Sequence, residues 1–177
     1  NGKTSTVELL ASILNDNGVK SIACGNNGVS VFDSLKGNYK YLIIELSSYQ
    51  LQYISNLKSY ISVILNLSHD HIERHGKISN YFQTKKKIFL NSQYSIISSD
   101  INEKIDDVIK YGIDNSVIRI DGLDDNLEFI NNKIIFGKYA YNTRGRHDAL
   151  NLCACLAVCN IINIPIMNVL NSFKQRT

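Results

Sequence analysis

The chain opens with the segment "NGKTST", in which Gly2, Lys3 and Thr4 precede a stretch of apolar residues at helical spacing. This order matches the end of a phosphate-binding loop, where backbone N–H groups at a helix start hold phosphate oxygens. In that chemistry Lys3 contacts the outer phosphates, Thr4 offers its hydroxyl to Mg²⁺, and Ser5 belongs to the same nucleotide-binding segment. A helix start that contains Gly-Lys-Thr by chance is the alternative interpretation.

Acidic and imidazole side chains follow two other apolar segments. Glu45 lies at the end of "YLIIEL", and the segment "HDHIERH" at 69–75 follows "YISVILNLS". A carboxylate beside a phosphate loop can bind Mg²⁺ or orient water, and imidazole with carboxylate can hold a hard cation. The simpler interpretations are an ordinary carboxylate at a strand end and a solvated charged loop.

Two further polar segments complete the set of candidates. Lysines occupy positions 85–87 in "TKKKIF", and "GRHDALN" contains His147, Asp148 and Asn151. Consecutive helical residues fan out by ~100°, so one lysine can point inward while the others stay in water. His147 and Asp148 share a helix face with Asn151, at spacings of four and three residues. A solvated lysine face and a helix cap at His147 or Asp148 are the simpler readings.

Alternating strands and helices are predicted to position these candidates. Apolar runs and turn residues predict strands at 19–24, 39–46, 60–68, 94–99 and 116–121, and a hairpin at 126–137. Helical spacing predicts helices at 3–18, 48–54, 78–91, 101–112, 146–163 and 164–173, the last beginning near Pro165. The pattern predicts an α/β fold with a mostly parallel sheet flanked by helices and a small β-hairpin. Ligands of such sheets bind at the carboxyl ends of the strands.

Composition narrows the class of protein. The 177 residues suffice for one domain with a core, and a net charge of +3 is too small to indicate nucleic acid or an anionic membrane as partner. Apolar runs do not reach the length of a membrane span, and we expect no signal peptide. The four cysteines are predicted to be reduced core residues rather than a zinc site, which fits the cytoplasm.

Taken together, five segments resemble one family. The segments "NGKTST", "ELSSYQL", "NLSHDHIERHG", "YFQTKKKIF" and "GRHDALN" occur in the order and spacing of the central ATP-binding domain of the Mur ligases, over essentially the whole chain. This resemblance implies a phosphate-loop NTPase-like domain of an ATP-dependent amide-bond-forming enzyme of peptidoglycan synthesis. The segment "ELSSYQL" is similar to that of the members that join D-glutamate to UDP-N-acetylmuramoyl-L-alanine, through an acyl phosphate.

The resemblance also implies roles for individual residues. Lys3 corresponds to the loop lysine at the γ-phosphate, and Thr4 and Glu45 to ligands of a first Mg²⁺. His71 corresponds to a histidine at a second Mg²⁺. Lys85 corresponds to a lysine that CO2 converts to a carbamate, whose negative charge can bind a metal that an ammonium would repel.

Further correspondences concern the substrates. Asn26 resembles an asparagine near the substrate carboxylate, with Ser47 and Ser48 beside it. Asn151 resembles an asparagine that contacts adenine. Asp148 stands where the family usually has asparagine, and an ionised aspartate accepts hydrogen bonds without donating them.

The resemblance implies a single central domain at 1–177, without the strand and glycine that begin the phosphate loop and without the flanking domains at either end. Such a fragment is expected to be inactive by itself. Two alternatives remain open: a non-catalytic nucleotide-binding module, which Asp148 and the expected truncation motivate, and a folylpolyglutamate synthase-type ligase.

Overall fold

A computed structural model describes residues 2–67, 78–112, 118–121, 126–131, 134–140 and 146–175. We number the helices and strands in chain order. The helices are α1 (Lys3–Asp16), α2 (Val31–Ser34), α3 (Ser48–Tyr53), α4 (Ile78–Lys86), α5 (Arg146–Ile161) and α6 (Ile166–Lys174), with a 3-10 turn at Lys87–Phe89. The strands are β1 (Ser21–Gly25), β2 (Tyr41–Glu45), β3 (Ser59–Ile64), β4 (Ser92–Ser98), β5 (Ile109–Gly112), β6 (Ile118–Asp121), β7 (Asn126–Asn131) and β8 (Ile134–Ala140).

The strands form two hydrogen-bonded groups. β1 and β2 pair in parallel, and β3 to β8 form a six-stranded sheet in chain order. Within it β3, β4, β5 and β6 are parallel, while β6, β7 and β8 are antiparallel. The predicted α/β class with a mostly parallel sheet is therefore confirmed, and the predicted hairpin corresponds to β7 and β8.

The main core lies between α1, α5, α6 and the sheet. Its fully buried members include Ile13 and Leu14 of α1, Leu156 of α5, Val169 of α6 and Ile96 of β4. All four cysteines are free and buried, as the sequence predicted. The apolar faces of these helices thus fix α1, and with it the "GKTS" segment, against the sheet.

One predicted helix is wrong. Residues 101–108 form no helix, and Ile109–Gly112 is strand β5, paired with β4 and β6. Ile101, Ile105 and Val108 still bury their apolar side chains, in a smaller cluster around Phe82. Asp107 adopts a φ of 56°, which a continuous helix does not accommodate. Strand pairing and this turn therefore override the helical spacing of the isoleucines.

The other predicted helices and strands in the described residues are present, with ends that differ by a few residues. Gly18, at a φ of 74°, follows α1 as a left-handed helix stop, and Pro165 precedes α6. Within the described residues, no helix is both long and apolar enough to cross a membrane.

Candidate functional site

The candidate site forms where three segments meet: the start of α1, the end of β2 and the turn after β1. β1 and β2 are in register, with Gly25 opposite Glu45, so both strands end at the same level. The Thr4 hydroxyl donates a 2.7 Å hydrogen bond to Glu45 Oε2. Asn26 Nδ2 donates to Glu45 Oε1 at 3.3 Å. The predicted residues Thr4, Glu45 and Asn26 therefore lie together at the carboxyl edge of the parallel strands, where ligands of such sheets bind.

Glu45 is a carboxylate held in a low-dielectric position. Its side chain is 3% exposed, and its nearest cation is Lys3, whose Nζ lies 4.0 Å from Oε1. A buried carboxylate requires hydrogen bonds or a positive partner to offset its lost hydration. Thr4, Asn26 and Lys3 supply part of that compensation.

The donors present fit Mg²⁺. A threonine hydroxyl and carboxylate oxygens are hard ligands, and Mg²⁺ is usually bound by one or two carboxylates together with water and substrate phosphates. Thr4 and Glu45 would hold the ion. Among the described residues there is no group of three or more His, Cys, Asp or Glu side chains that could enclose a metal. Two such protein ligands leave further positions on the ion for water and substrate phosphates.

The side chain of Lys3 is held much more weakly than that of Glu45. Its side chain is 42% exposed, and its contact with Glu45 is at the outer limit of an ion pair. A long side chain held this weakly can reorient when a more negative group arrives. Lys3 is thus placed to reach a phosphate in front of α1 without first breaking a strong bond.

Gly2 and Asn151 meet at the start of α1. Gly2 is the N-cap at a φ of 77°, and a Cβ at this position would lie 2.8 Å from Asn151 Oδ1. Asn151 is 8% exposed. Buried polar groups are rarely left without partners, and the structure gives this carboxamide no hydrogen bond to any residue it describes. Within the described residues, the Asn151 carboxamide is therefore open to a ligand beside the phosphate-binding segment.

Lys85, near the end of helix α4, reaches the segment that follows the carboxyl end of β3. Its Nζ donates a 2.7 Å hydrogen bond to the carbonyl oxygen of Asn66, just after β3, and lies 4.6 Å from the centre of the Tyr81 ring. Burial of the ammonium, together with the positive charge of Lys3, lowers the pKa of Lys85 to about 8. At neutral pH a larger share of the Lys85 amine is therefore unprotonated than in an ordinary lysine.

Ser47 and Ser48 begin helix α3. Ser47 is its N-cap: Ser47 Oγ accepts a hydrogen bond from the Gln50 backbone N–H, and Gln50 Oε1 accepts one from the Ser47 N–H. Ser48 is buried in the first turn. The substrate-binding roles predicted for both serines remain predictions, and the structure adds a structural role for Ser47.

Replacing Ser47 by alanine is expected to lower the free energy of unfolding by about 1 kcal/mol, since the first turn of α3 loses its capping oxygen. A denaturant titration of the purified protein measures this change. Ser47→Gly serves as the matched control, because glycine is a tolerated N-cap and should cost only a few tenths of a kcal/mol. Equal losses for both variants would contradict the cap.

The two histidine-containing segments differ in what the structure describes. His71 and the rest of "HDHIERH" lie outside the described residues. His147 and Asp148 lie within the first turn of α5, with His147 exposed and Asp148 half-buried. The negative charge of Asp148 is favourable near this positive helix end.

Sequence reasoning missed three contributors to the site. The capping box at Ser47 and Gln50 has a sequence signal, Ser followed three residues later by Gln before an apolar position. The spacing of Tyr81 and Lys85, four residues apart on one helix, also indicates a contact. The carbonyl of Asn66 has no such signal, because only the fold brings it to Lys85.

Comparisons with known proteins identify the family of the chain. A family model described as Mur ligase middle domain matches residues 1–159. Among curated proteins, the UDP-N-acetylmuramoylalanine--D-glutamate ligase of Buchnera aphidicola subsp. Acyrthosiphon pisum is 34% identical, over 99% of this chain and 42% of the relative. The protein of the same name in Acinetobacter baylyi is 30% identical, over the same shares of each chain. The chain thus spans less than half the length of these relatives.

Solved structures show the same fold. MurF from Acinetobacter baumannii matches with a TM-score of 0.81 at 16% identity, over 99% of this chain and 44% of that one. The UDP-N-acetylmuramate-alanine ligase MurC from Thermotoga maritima matches with a TM-score of 0.71 at 18% identity, over 97% and 42%.

The fold and the site define an α/β domain of the nucleotide-dependent class, with a Gly-Lys-Thr helix start facing a buried glutamate. With the family model covering most of its length, the chain belongs to the Mur ligase family, as its middle domain.

Proposed function

We propose that this chain is the ATP-using part of a ligase that joins the amine of D-glutamate to the carboxylate of UDP-N-acetylmuramoyl-L-alanine, in peptidoglycan synthesis. The observation that carries the proposal is the contact of the Thr4 hydroxyl with the buried Glu45 carboxylate, with Lys3 alongside. The relatives named UDP-N-acetylmuramoylalanine--D-glutamate ligase support the choice of substrates. The buried free thiols agree with a reducing compartment, and we propose that the reaction takes place in the cytoplasm.

The proposed reaction overcomes the low reactivity of a carboxylate. The substrate carboxylate attacks the γ-phosphorus of ATP, giving an acyl phosphate and ADP. The amine then attacks the acyl carbon, and a tetrahedral intermediate collapses to the amide and phosphate. Two bound Mg²⁺ ions would neutralise negative charge on the phosphates.

The residues of this chain neutralise charge on the phosphates and position the substrates. Backbone N–H groups at the start of α1 bind phosphate oxygens, and Lys3 stabilises the negative charge that develops on the transferred phosphoryl group. Thr4 and Glu45 would hold the first metal ion, and His71 would hold the second. Asn151 supplies an amide to the nucleotide. Ser47, Ser48 and Asn26 border the acceptor substrate.

Lys85 is proposed to act as a carbamate. The neutral amine attacks CO2, a C–N bond forms, and the nitrogen releases one proton to solvent, leaving a carbamate anion. The lowered pKa of Lys85 favours this step because a larger share of the amine is unprotonated. Lys85 lies near enough to Lys3 for the two charges to interact, so an anion at this position would attract the loop lysine rather than repel it.

The test is phosphate release by the intact protein, supplied with ATP, Mg²⁺, UDP-N-acetylmuramoyl-L-alanine and D-glutamate. We expect release that requires both the nucleotide sugar and D-glutamate, with L-glutamate as the matched control. Release with L-glutamate and a reduced folate as acceptor instead would favour the folylpolyglutamate-type ligase. ATP binding without release under any condition would favour the non-catalytic module.

A further inference from the structure

Glu45 is held on both carboxylate oxygens by different segments. Thr4 donates to Oε2, and Asn26 donates to Oε1 from the turn after β1. A carboxylate fixed at one oxygen can still rotate about its terminal bond, whereas one fixed at both keeps its plane. The contact with Asn26 is therefore the second hydrogen bond that fixes the plane of the Glu45 carboxylate, and with it the direction in which Glu45 would bind a metal.

The backbone makes this contact specific. The Asn26 backbone N–H donates a 2.9 Å hydrogen bond to the main-chain carbonyl of Glu45, so main chain and side chain of Asn26 bind the same residue. Gly25 makes the approach possible: its φ is 100°, and a Cβ at this position would lie 2.4 Å from the Glu45 carbonyl oxygen. Only glycine tolerates this combination. The turn thus places Asn26 over Glu45 as a consequence of its geometry.

We infer that Asn26 is a positioning residue for the magnesium site, which acts by orienting the carboxylate of Glu45. The inference rests on the proposed function and assigns Asn26 a role besides contact with the substrate carboxylate. One amide hydrogen serves Glu45, and Asn26 is itself exposed, so its second hydrogen remains available to a substrate. Groups that orient metal ligands typically change metal affinity or activity by about 10- to 100-fold when removed.

The test is binding of Mn²⁺, as a paramagnetic substitute for Mg²⁺, to the intact protein with ATP, measured by electron paramagnetic resonance. Asn26→Ala is expected to weaken Mn²⁺ binding by about 10-fold. In a Glu45→Gln background the same substitution should have little further effect, because the carboxylate that Asn26 orients is gone. Thermal unfolding should show a cooperative transition with only a small loss of stability, because Asn26 lies exposed in a turn but donates one hydrogen bond to the buried Glu45 carboxylate.

Asn27→Ala is the matched control, because Asn27 Oδ1 accepts a hydrogen bond from the Val29 N–H within the same turn and stabilises the turn without contacting Glu45. Its Mn²⁺ affinity should match the unmodified protein. Unchanged Mn²⁺ affinity in Asn26→Ala, an additive loss with Glu45→Gln, or an equal loss in Asn27→Ala would each overturn the inference.

Measurements on the unmodified protein test the proposed function separately. Metal-dependent phosphate release by that protein supports the ligase whatever Asn26→Ala does. Absence of Mn²⁺ binding by the unmodified protein would overturn both.

Discussion

Replacing Lys3 by alanine is expected to reduce kcat by about 10³-fold while leaving the protein folded. A donor aimed at charge that develops in the transition state typically contributes two to three orders of magnitude. Lys3 lies at the positive end of α1 and near Lys85, so its removal relieves unfavourable charge, and this offsets the loss of its weak, partly exposed ion pair with Glu45. We therefore expect a melting temperature close to that of the unmodified protein. Steady-state phosphate release and thermal unfolding measure the two quantities.

Lys36→Ala is the control for this experiment. Lys36 is exposed and pairs with Asp33 of α2, so its removal changes the net charge equally without touching the site. Its kcat should be unaltered. A Lys3→Ala variant with a near-normal rate would remove Lys3 from the mechanism, and one that fails to fold would indicate a structural role.

Replacing Lys85 by alanine is expected to reduce turnover by at least about 10²-fold, because the site loses the anion proposed to form there. Short carboxylates such as acetate or formate should restore part of the rate, since they can occupy the space and supply the negative charge. The measurement is phosphate release as a function of added carboxylate. Rescue should saturate, as expected for a bound anion.

Lys86→Ala is the matched control, because the next residue lies away from the Asn66 carbonyl and lines a separate surface groove with Ser92 and Asp106. It should retain activity, and added carboxylate should not change its rate. A normal rate for Lys85→Ala would exclude the carbamate. A lost rate without rescue would leave Lys85 important as an amine rather than as an anion.

Much of the fold was predictable because its determinants are local. The alternation of helical spacing with continuous apolar runs identified α1, β2, β3 and α5, and Gly18 and Pro165 marked helix ends. The exception is Ile109–Gly112, where isoleucines at helical spacing enter a strand. Its pairing with β4 and β6 is a long-range interaction, and a single sequence carries no direct record of such pairs.

The candidate site was predictable in its residues and less so in its contacts. Lys3, Thr4 and Glu45 stand out by type and by position at segment ends. That Asn26 would bind Glu45, or that Lys85 would reach the Asn66 carbonyl, depends on the register of neighbouring strands. Such register follows from packing of the whole sheet, so these contacts became visible only in the folded chain.

The buried thiols of α5 have a practical consequence for measuring ligand affinity. Burial raises the pKa of Cys153, Cys155 and Cys159, the last to about 12, and all three are inaccessible in the folded chain. Alkylating reagents require an accessible thiolate, so labelling proceeds only through molecules in which α5 has opened. A ligand that binds the folded state slows that labelling by the factor 1 + [L]/Kd. Mass-spectrometric counting of alkylated cysteines would therefore report ATP affinity without any turnover.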